Sequence, residues 1–398
     1  MTDGANKPTL DQLVGRCVVL DTSGPLVYIG RLEVLDERGY WLVEADLYDR
    51  NEGHSTKDRY VNDACVLERS GARPVNRRRV FVDHQHLRAG RCGGRRPRGP
   101  GRVDDMKLTW QRQTIRPRHR FATSQWAVDE KETIIVRLEH DGLVGLGECV
   151  PSELYGQTLE SSEAALTAIA GKLGDDPMRI EPLVRRLLVE HDDQRAAVDA
   201  VDAALHDWVG RRLDVPVWRL LGLERPRKQT TFTIGVADPD QIRVKVDEAL
   251  EAGFDALKIK VGVENDHETL SYIRKKFNGP LFLDANQAWT PAEAPARIRD
   301  LARYRPTLIE QPLRREDWQH LGALRALEIA PIFADESCER PADVVRLHGF
   351  VDGINIKFNK CGGTREALRM IGIARTMNMR IMLGCFVCSS LAIAPALS

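Results

Sequence analysis

Seven ionisable residues in the second half of the chain stand where ordinary strands carry none. They fall in five short segments, each ending an apolar run in charge: ALKIK (256–260), FLDAN (282–286), LIEQP (308–312), FADES (333–337) and NIKFNK (355–360). The charges taken as site candidates are Lys258, Lys260, Asp284, Glu310, Asp335, Lys357 and Lys360. A buried strand does not keep a charge unless it is paired or performs a task. Three carboxylates at the ends of three successive strands can converge, and three hard oxygen donors suit Mg²⁺, which keeps part of its shell for water and substrate. Lys258 and Lys260 are two apart on a strand and so share one face. Placed near each other and near a metal, they are expected to have lowered pKa values, as a lysine base working near neutral pH requires.

The elements that position these groups follow from their spacing. The segments recur roughly every 25 residues with helical stretches between them, the period of repeated βα units. In a parallel (β/α) barrel the strand C-terminal ends form one face, and that face holds the active site. The barrel begins near TTFTIG (230–235), giving a region of 227–398. Before it, 106–226 reads as an α+β domain. Alternating strands occupy 107–115, 133–139 and 143–149, and helices are expected from about Ser161, over 179–190 and over 194–211. Residues 1–87 read as a small all-β, barrel-like module, with strands within 13–48, near 61–67 and at 78–83. Its VGRCVVLD and GRLEVLDERG stretches resemble Sm-like barrels.

Between these parts, residues 88–105 are rich in Arg, Gly and Pro and nearly devoid of apolar side chains, which predicts a basic linker that cannot bury enough surface to fold. Such a run also arises when GC-rich non-coding DNA is translated. Met106 then opens a freshly patterned domain, so a gene fusion and two joined reading frames are both expected origins. Lys plus Arg and Asp plus Glu each number 58, so the overall charge is zero and points to no polyanionic partner. Nucleic acid is left as a secondary partner, through residues 77–102. No apolar run is long enough to span a bilayer and the N-terminus is not a signal peptide, so no membrane partner and a cytoplasmic location are expected. The scattered cysteines fit free thiols, and Cys385-x-x-Cys388 lacks a redox context.

From about Lys107 onward the chain resembles the enolase superfamily in its muconate-lactonising branch, and within it the dipeptide epimerases most. The resemblance rests on GEC-x-P (147–151), ALHDW, K-x-K (258–260), DANQAW, EQP, DES, NIK and the GlyGly pair at 362–363. It implies an α/β fold: a capping α+β domain plus a TIM-type barrel, here lacking its last strand and preceded by the small all-β module. It implies a Mg²⁺ cofactor on Asp284, Glu310 and Asp335, Lys260 as base, Lys258 as its electrostatic partner, and Lys357 as the second acid/base, with Lys360 as the alternative. Two lysines on opposite sides of a metal-bound carboxylate imply 1,1-proton transfer, that is racemisation or epimerisation. Substrate-contacting residues implied are Trp126, Tyr155, Thr233, Asn286, Asn355 and Cys385. Trp126 stands where Ala-Glu epimerases carry an arginine, and with Tyr155 it suggests an apolar or aromatic dipeptide.

The chain departs from the pattern at Ser398. The eighth strand and the Asp-x-Asp element that binds the substrate's amino group in similar enzymes are expected to be missing, which puts activity and barrel closure in doubt. Other members of the branch (N-acylamino acid racemase, o-succinylbenzoate synthase, cycloisomerase) remain open, as does a non-catalytic fusion with an RNA-binding N-terminal module. A homo-oligomer is compatible with all of these.

Overall fold

A computed structural model of the chain describes residues 13–22, 26–49, 77–83, 105–224 and 230–397. The chain divides into two compact units, Met1–Gly101 and Arg102–Ser398. In the first, β1 (Cys17–Asp21), β2 (Leu26–Leu35), β3 (Gly39–Asp49) and β4 (Arg77–Asp83) form an antiparallel meander in chain order. Leu20, Leu32, Tyr40, Leu42, Ala45 and Val82 form its buried core. The β2–β3 turn is set by Asp36, whose Oδ1 accepts from the backbone N–H of Arg38 at 2.8 Å and of Gly39 at 3.0 Å. Within the Arg77–Arg79 run, Arg79 donates to Glu33 at 2.6 Å and lies 4.4 Å over the Trp41 ring. The strand expected near 61–67 and all but the last residue of the linker expected over 88–105 lie outside the described residues.

The second unit opens with a three-stranded antiparallel sheet. Its order is β5 (Lys107–Ile115), β8 (Lys131–His140), β9 (Leu143–Cys149), with β6 (Phe121–Ala122) and β7 (Ala127–Val128) forming a small hairpin in the β5–β8 connection. Three helices come next: α1 (Leu159–Ala170), α2 (Ile180–Glu190) and α3 (Arg195–Leu213). Thr158 and Ser161 cap α1 reciprocally. Strand β9 lies directly on the backbone of α3. An added Cβ would sit 1.9 Å from the Ala204 carbonyl oxygen at Gly145, and 1.9 Å from that of Ala200 at Gly147. Only glycine permits that approach, and the small residues Ala197, Ala200 and Ala204 of α3 allow it from the other side.

The rest is a seven-stranded parallel sheet in chain order: β10 (Phe232–Ile234), β11 (Leu257–Lys260), β12 (Leu281–Asp284), β13 (Leu308–Glu310), β14 (Ile332–Ala334), β15 (Gly353–Lys357) and β16 (Arg380–Gly384). Helices α4 (Pro239–Glu251), α5 (Asp266–Lys276), α6 (Ala294–Leu301), α7 (Leu321–Arg325), α8 (Pro341–Leu347), α9 (Phe358–Cys361), α10 (Thr364–Thr376) and α11 (Ser390–Leu397) complete the unit. Ile259, Leu283, Ile309 and Ile354 are fully or almost fully buried and pack in the helix-side core. The strand-period alternation then sends Lys258, Lys260 and Asp284 to the opposite face. The NIKFNK segment does not run as one strand: it ends at Lys357, and Phe358–Cys361 is a helical turn. Lys360 therefore belongs to α9.

The antiparallel sheet and its helices are clipped onto this sheet by buried polar contacts. Arg195 donates to Cys361 O at 2.7 Å, Thr364 N to Asp202 at 2.6 Å, and Val150 N to Asn359 Oδ1 at 2.7 Å. Among the described residues, no helix is long and apolar enough to cross a membrane.

The β9–α3 contact yields a stability prediction. Gly147→Ala should lower the stability of the second unit by about 2 kcal/mol, the usual cost of overpacking. Urea denaturation should show a lower midpoint with an unchanged slope. An unaltered midpoint would mean that the contact is not this close.

Candidate active site

The register of the parallel sheet sets the site. Lys260 pairs with Asp284 and Asp284 with Glu310, so these three stand at one level on neighbouring strands. Asp335 comes directly after β14, two residues beyond Phe333, the register partner of Glu310. Ligand oxygens of Asp284, Glu310 and Asp335 lie within 4.8 Å of one another, and all three residues are fully buried.

Lysines surround this cluster on both sides. From β11, Lys258 Nζ lies 2.9 Å from Asp284 and 2.7 Å from Glu310, and Lys260 Nζ lies 2.7 Å from Asp284. From β15, on the far side of the cluster, Lys357 Nζ reaches Asp335 Oδ2 at 2.6 Å. Lys360 is enclosed: it donates to Asp335 Oδ1 at 2.8 Å, Asp335 O at 2.5 Å and Asn355 O at 3.0 Å. Asn355, facing the same side as Lys357, donates to Glu310 Oε1 at 2.8 Å.

This arrangement corrects the expected downward shift of Lys258. Burial does push Lys258 down, but the charges of Asp284, Glu310 and Asp335 outweigh it and hold the group above the ordinary lysine range. Lys357 is likewise pushed down by burial, and Asp335 and Glu336 raise it by more. The carboxylates respond unequally. Against the upward push of burial, Lys258 and Lys260 hold Asp284 down at about 2, and Lys357 and Lys360 draw Asp335 lower still. Glu310 moves up despite touching Lys258, because burial and the neighbouring Asp284 charge prevail there.

The donor set fits a divalent cation. It is all carboxylate oxygen and wholly buried. Glu310 Oε2, though close to Lys258, makes no directed hydrogen bond, and Glu336 Oε2, Asn286 Oδ1 and Asn355 Oδ1 are buried without partners. Buried oxygens in this state are what a hard cation and its shell satisfy.

The other expected residues are spread around this centre. Thr233 is the register partner of Lys258 on β10. Asn286 donates to Glu336 at 3.1 Å. Tyr155 sits 6.3 Å from Phe386 between ring centroids, and Phe386 lies 4.8 Å from Lys357 Nζ. Cys385 lies just past β16; the Cys388 thiol and the site lysines lower its pKa to about 6. Trp126 lies on the β6–β7 hairpin, 48% exposed and tilted against Phe121 with ring centroids 5.7 Å apart, and the Phe121 ring is 5.9 Å from Lys260 Nζ.

Several contributors were not anticipated from the sequence. Gln311 accepts from Asp335 N at 2.9 Å and Ser337 N at 3.1 Å, fixing the turn that carries a carboxylate. Its φ is +36°, and Asn286 and Gln287 are also left-handed at +44° and +68°. Such backbone in non-glycine residues costs on the order of 1 kcal/mol each and persists where surrounding bonds over-determine it. Here Gln287 N donates to Gln311 O at 2.8 Å and Gln311 N to Phe333 O at 2.8 Å. Glu336 is pushed up to about 7 by burial and the charges of Asp335 and Asp284. Arg315 donates to Leu154 O at 3.3 Å, pairs with Glu339 at 3.0 Å and covers the Tyr155 ring at 5.5 Å. The EQP and DES motifs contained Gln311 and Glu336, and Phe386 stands beside the expected Cys385, whereas nothing marked Arg315.

Comparison with known families bears on the same stretch. Residues 106–222 match the mandelate racemase / muconate lactonizing enzyme N-terminal domain, and residues 241–398 match the enolase C-terminal domain-like family. The chain belongs to the mandelate racemase / muconate lactonizing enzyme family. Among members of that family, the L-Ala-D/L-Glu epimerase of Bacteroides thetaiotaomicron is 36% identical over 294 residues, spanning 73% of this chain and 76% of the relative. The hydrophobic dipeptide epimerase of Enterococcus faecalis is 36% identical over 283 residues, 68% of this chain and 79% of that one. The structure of a dipeptide epimerase from Enterococcus faecalis, complexed with Mg and L-Leu-L-Tyr, superposes with a TM-score of 0.70 at 33% identity, covering 74% of this chain and 87% of that one.

A metal at the triad should stabilise the fold. With Mg²⁺ at about 100 times its dissociation constant, the wild-type chain should gain about 2.7 kcal/mol. Glu310→Gln, which keeps the shape, should fold without Mg²⁺ yet lose most of that gain in a thermal melt. An equal Mg²⁺ shift in the variant would remove Glu310 from the ligand set.

Proposed function

We propose that the chain is a Mg²⁺-dependent epimerase that moves a proton at the carbon alpha to a carboxylate, with a dipeptide as substrate. One observation carries this: lysines from β11 and a lysine from β15 flank a buried three-carboxylate cluster from opposite sides. Asp284, Glu310 and Asp335 would hold the cation. When bound, it supplies positive charge opposite the substrate carboxylate, on which negative charge grows as the α-proton leaves.

Lys260 and Lys357 are the two proton carriers. A lysine must be neutral to accept a proton, and Asp335 and Glu336 favour the charged form of Lys357. Engaging Asp335 at a cation would withdraw part of that support, and burial would then act downward on Lys357. In one direction Lys260 takes the α-proton and Lys357 delivers one to the opposite face; in the other the roles exchange. Lys258, bridging Asp284 and Glu310, serves as the electrostatic partner. Lys357 is preferred to Lys360 because its side chain keeps 12% exposure, whereas Lys360 is fully buried and spends its donors on Asp335 and Asn355. Thr233, Asn286, Asn355 and Cys385 border the space where substrate would lie.

The aromatic pair Tyr155–Phe386 beside Lys357 favours an apolar or aromatic side chain in the dipeptide. Relatives named for hydrophobic dipeptides support the same choice. Arg315 at the rim is already paired to Glu339 and stacked on Tyr155, which disfavours a substrate carboxylate there. The free thiols of Cys149, Cys338 and Cys361 fit a reducing compartment, and we place the enzyme in the cytoplasm.

Proton exchange in D₂O tests the assignment. Lys260→Ala and Lys357→Ala should each abolish epimerisation, while each retains α-proton exchange of one isomer only, read by NMR. Loss of exchange in Lys360→Ala with exchange intact in Lys357→Ala would reverse the choice of second carrier. A screen of dipeptides should give kcat/KM at least about tenfold higher for Leu- or Phe-containing substrates than for Ala-Glu, the scale of one buried apolar group. The opposite order would exclude the aromatic reading of Tyr155 and Phe386.

A further inference from the structure

Glu148 is a buried carboxylate that the proposed chemistry does not use. It sits on β9, is 1% exposed, and its hydrogen bonds come from far along the chain. Ser389 N donates to Oε1 at 3.1 Å, Ala392 N to Oε2 at 3.1 Å, and the Ser389 hydroxyl makes a short bond to Oε2. Ser389 Oγ in turn accepts from Leu391 N at 3.1 Å. The carboxylate thus meets the first turn of α11, where free N–H groups and the helix dipole favour negative charge. A buried charge anchored this way holds its partners firmly, since separating them would strand it without water.

What it anchors leads into the site. Ser389 lies three residues after Phe386, and Phe386 is the ring against Lys357. On the other side of Glu148, the same chain continues through Val150, clipped to Asn359, and Pro151, whose carbonyl accepts from Lys131 at 3.0 Å. It then reaches Tyr155, the other half of the aromatic pair. One carboxylate therefore ties together the two segments that bring Tyr155 and Phe386 to Lys357. Lys260, on β11, is packed by Phe121 from a different hairpin and has no such connection to Glu148.

We propose that Glu148 is a positioning residue for one half of the reaction: through Ser389 it sets Phe386 and Tyr155 against Lys357, and so governs proton transfer on the Lys357 face alone. This rests on the epimerase reading of the site. The expected signature is an asymmetry between substrate isomers, which a general loss of stability would not produce.

The test measures α-proton exchange in D₂O separately for the two isomers of one hydrophobic dipeptide, with Mg²⁺ present. The isomer served by Lys357 is identified from Lys357→Ala. Glu148→Ala should slow that isomer by at least about tenfold, the scale on which small displacements act, and leave the other within about twofold. Glu148→Gln, which keeps the side-chain shape and one acceptor oxygen, should recover part of the loss. Phe386→Leu, outside the buried clip, should reproduce the asymmetry even if Glu148→Ala does not fold. Equal slowing of both isomers, or an unmoved ratio in Phe386→Leu, would overturn the proposal. Absence of exchange in the wild-type chain with any dipeptide would instead overturn the epimerase reading.

Discussion

The structure depends on burying like charges side by side. Asp284, Glu310 and Asp335 meet where burial shields them from solvent, and Glu336 adds a fourth carboxyl at the edge. Such a group is unstable by itself. It is tolerated because Lys258, Lys260, Lys357 and Lys360 meet it from strands and a helical turn on both sides. Among the lysines that balance the acids are the two that we propose move protons. Charge neutrality and catalytic geometry are one requirement here, so substitutions in this cluster will affect folding and chemistry together.

Around this cluster the protein uses rigid backbone to hold the acids. The sheet register aligns Lys260, Asp284 and Glu310 at one height. Beyond the strand ends, the left-handed residues Asn286, Gln287 and Gln311 and their interlocking hydrogen bonds turn the chain away while leaving the carboxylates in place. Trp126 is held quite differently. That side chain sits on a two-strand hairpin and is half exposed, a position suited to adapt to a ligand more than to fix one.

The charged strand ends were legible in the sequence because a lysine or carboxylate closing a buried apolar run is costly and therefore conspicuous. The βα period placed those ends on one face, and apolar spacing gave helices from about Ser161, over 179–190 and over 194–211, which run over 159–170, 180–190 and 195–213. What was not legible depends on distance in the chain. The upward hold on Lys258 and Lys357 reflects the summed field of acids on other strands, which no local pattern displays. Lys360 looked like a continuation of its strand because Phe358 kept the run apolar, yet the chain had already turned into α9. Glu148 stood in the GEC-x-P motif and Phe386 beside Cys385, but the roles proposed for them, and the contacts of Arg315, come from across the fold, where no periodic signal reaches.

The glycines of β9 have a consequence for how this scaffold can diversify. At Gly145 and Gly147 the strand touches the carbonyls of α3, so neither position can accept a side chain and the strand cannot be reshaped. Its course is thereby frozen on both faces, by α3 on one and by the Glu148 anchor on the other. Under the proposed reading, variation in ligand preference falls on the segments flanking it, the 152–157 loop and the 121–128 hairpin. The scaffold is then a fixed spine with two variable lips, and a change at the lips leaves the buried acids undisturbed.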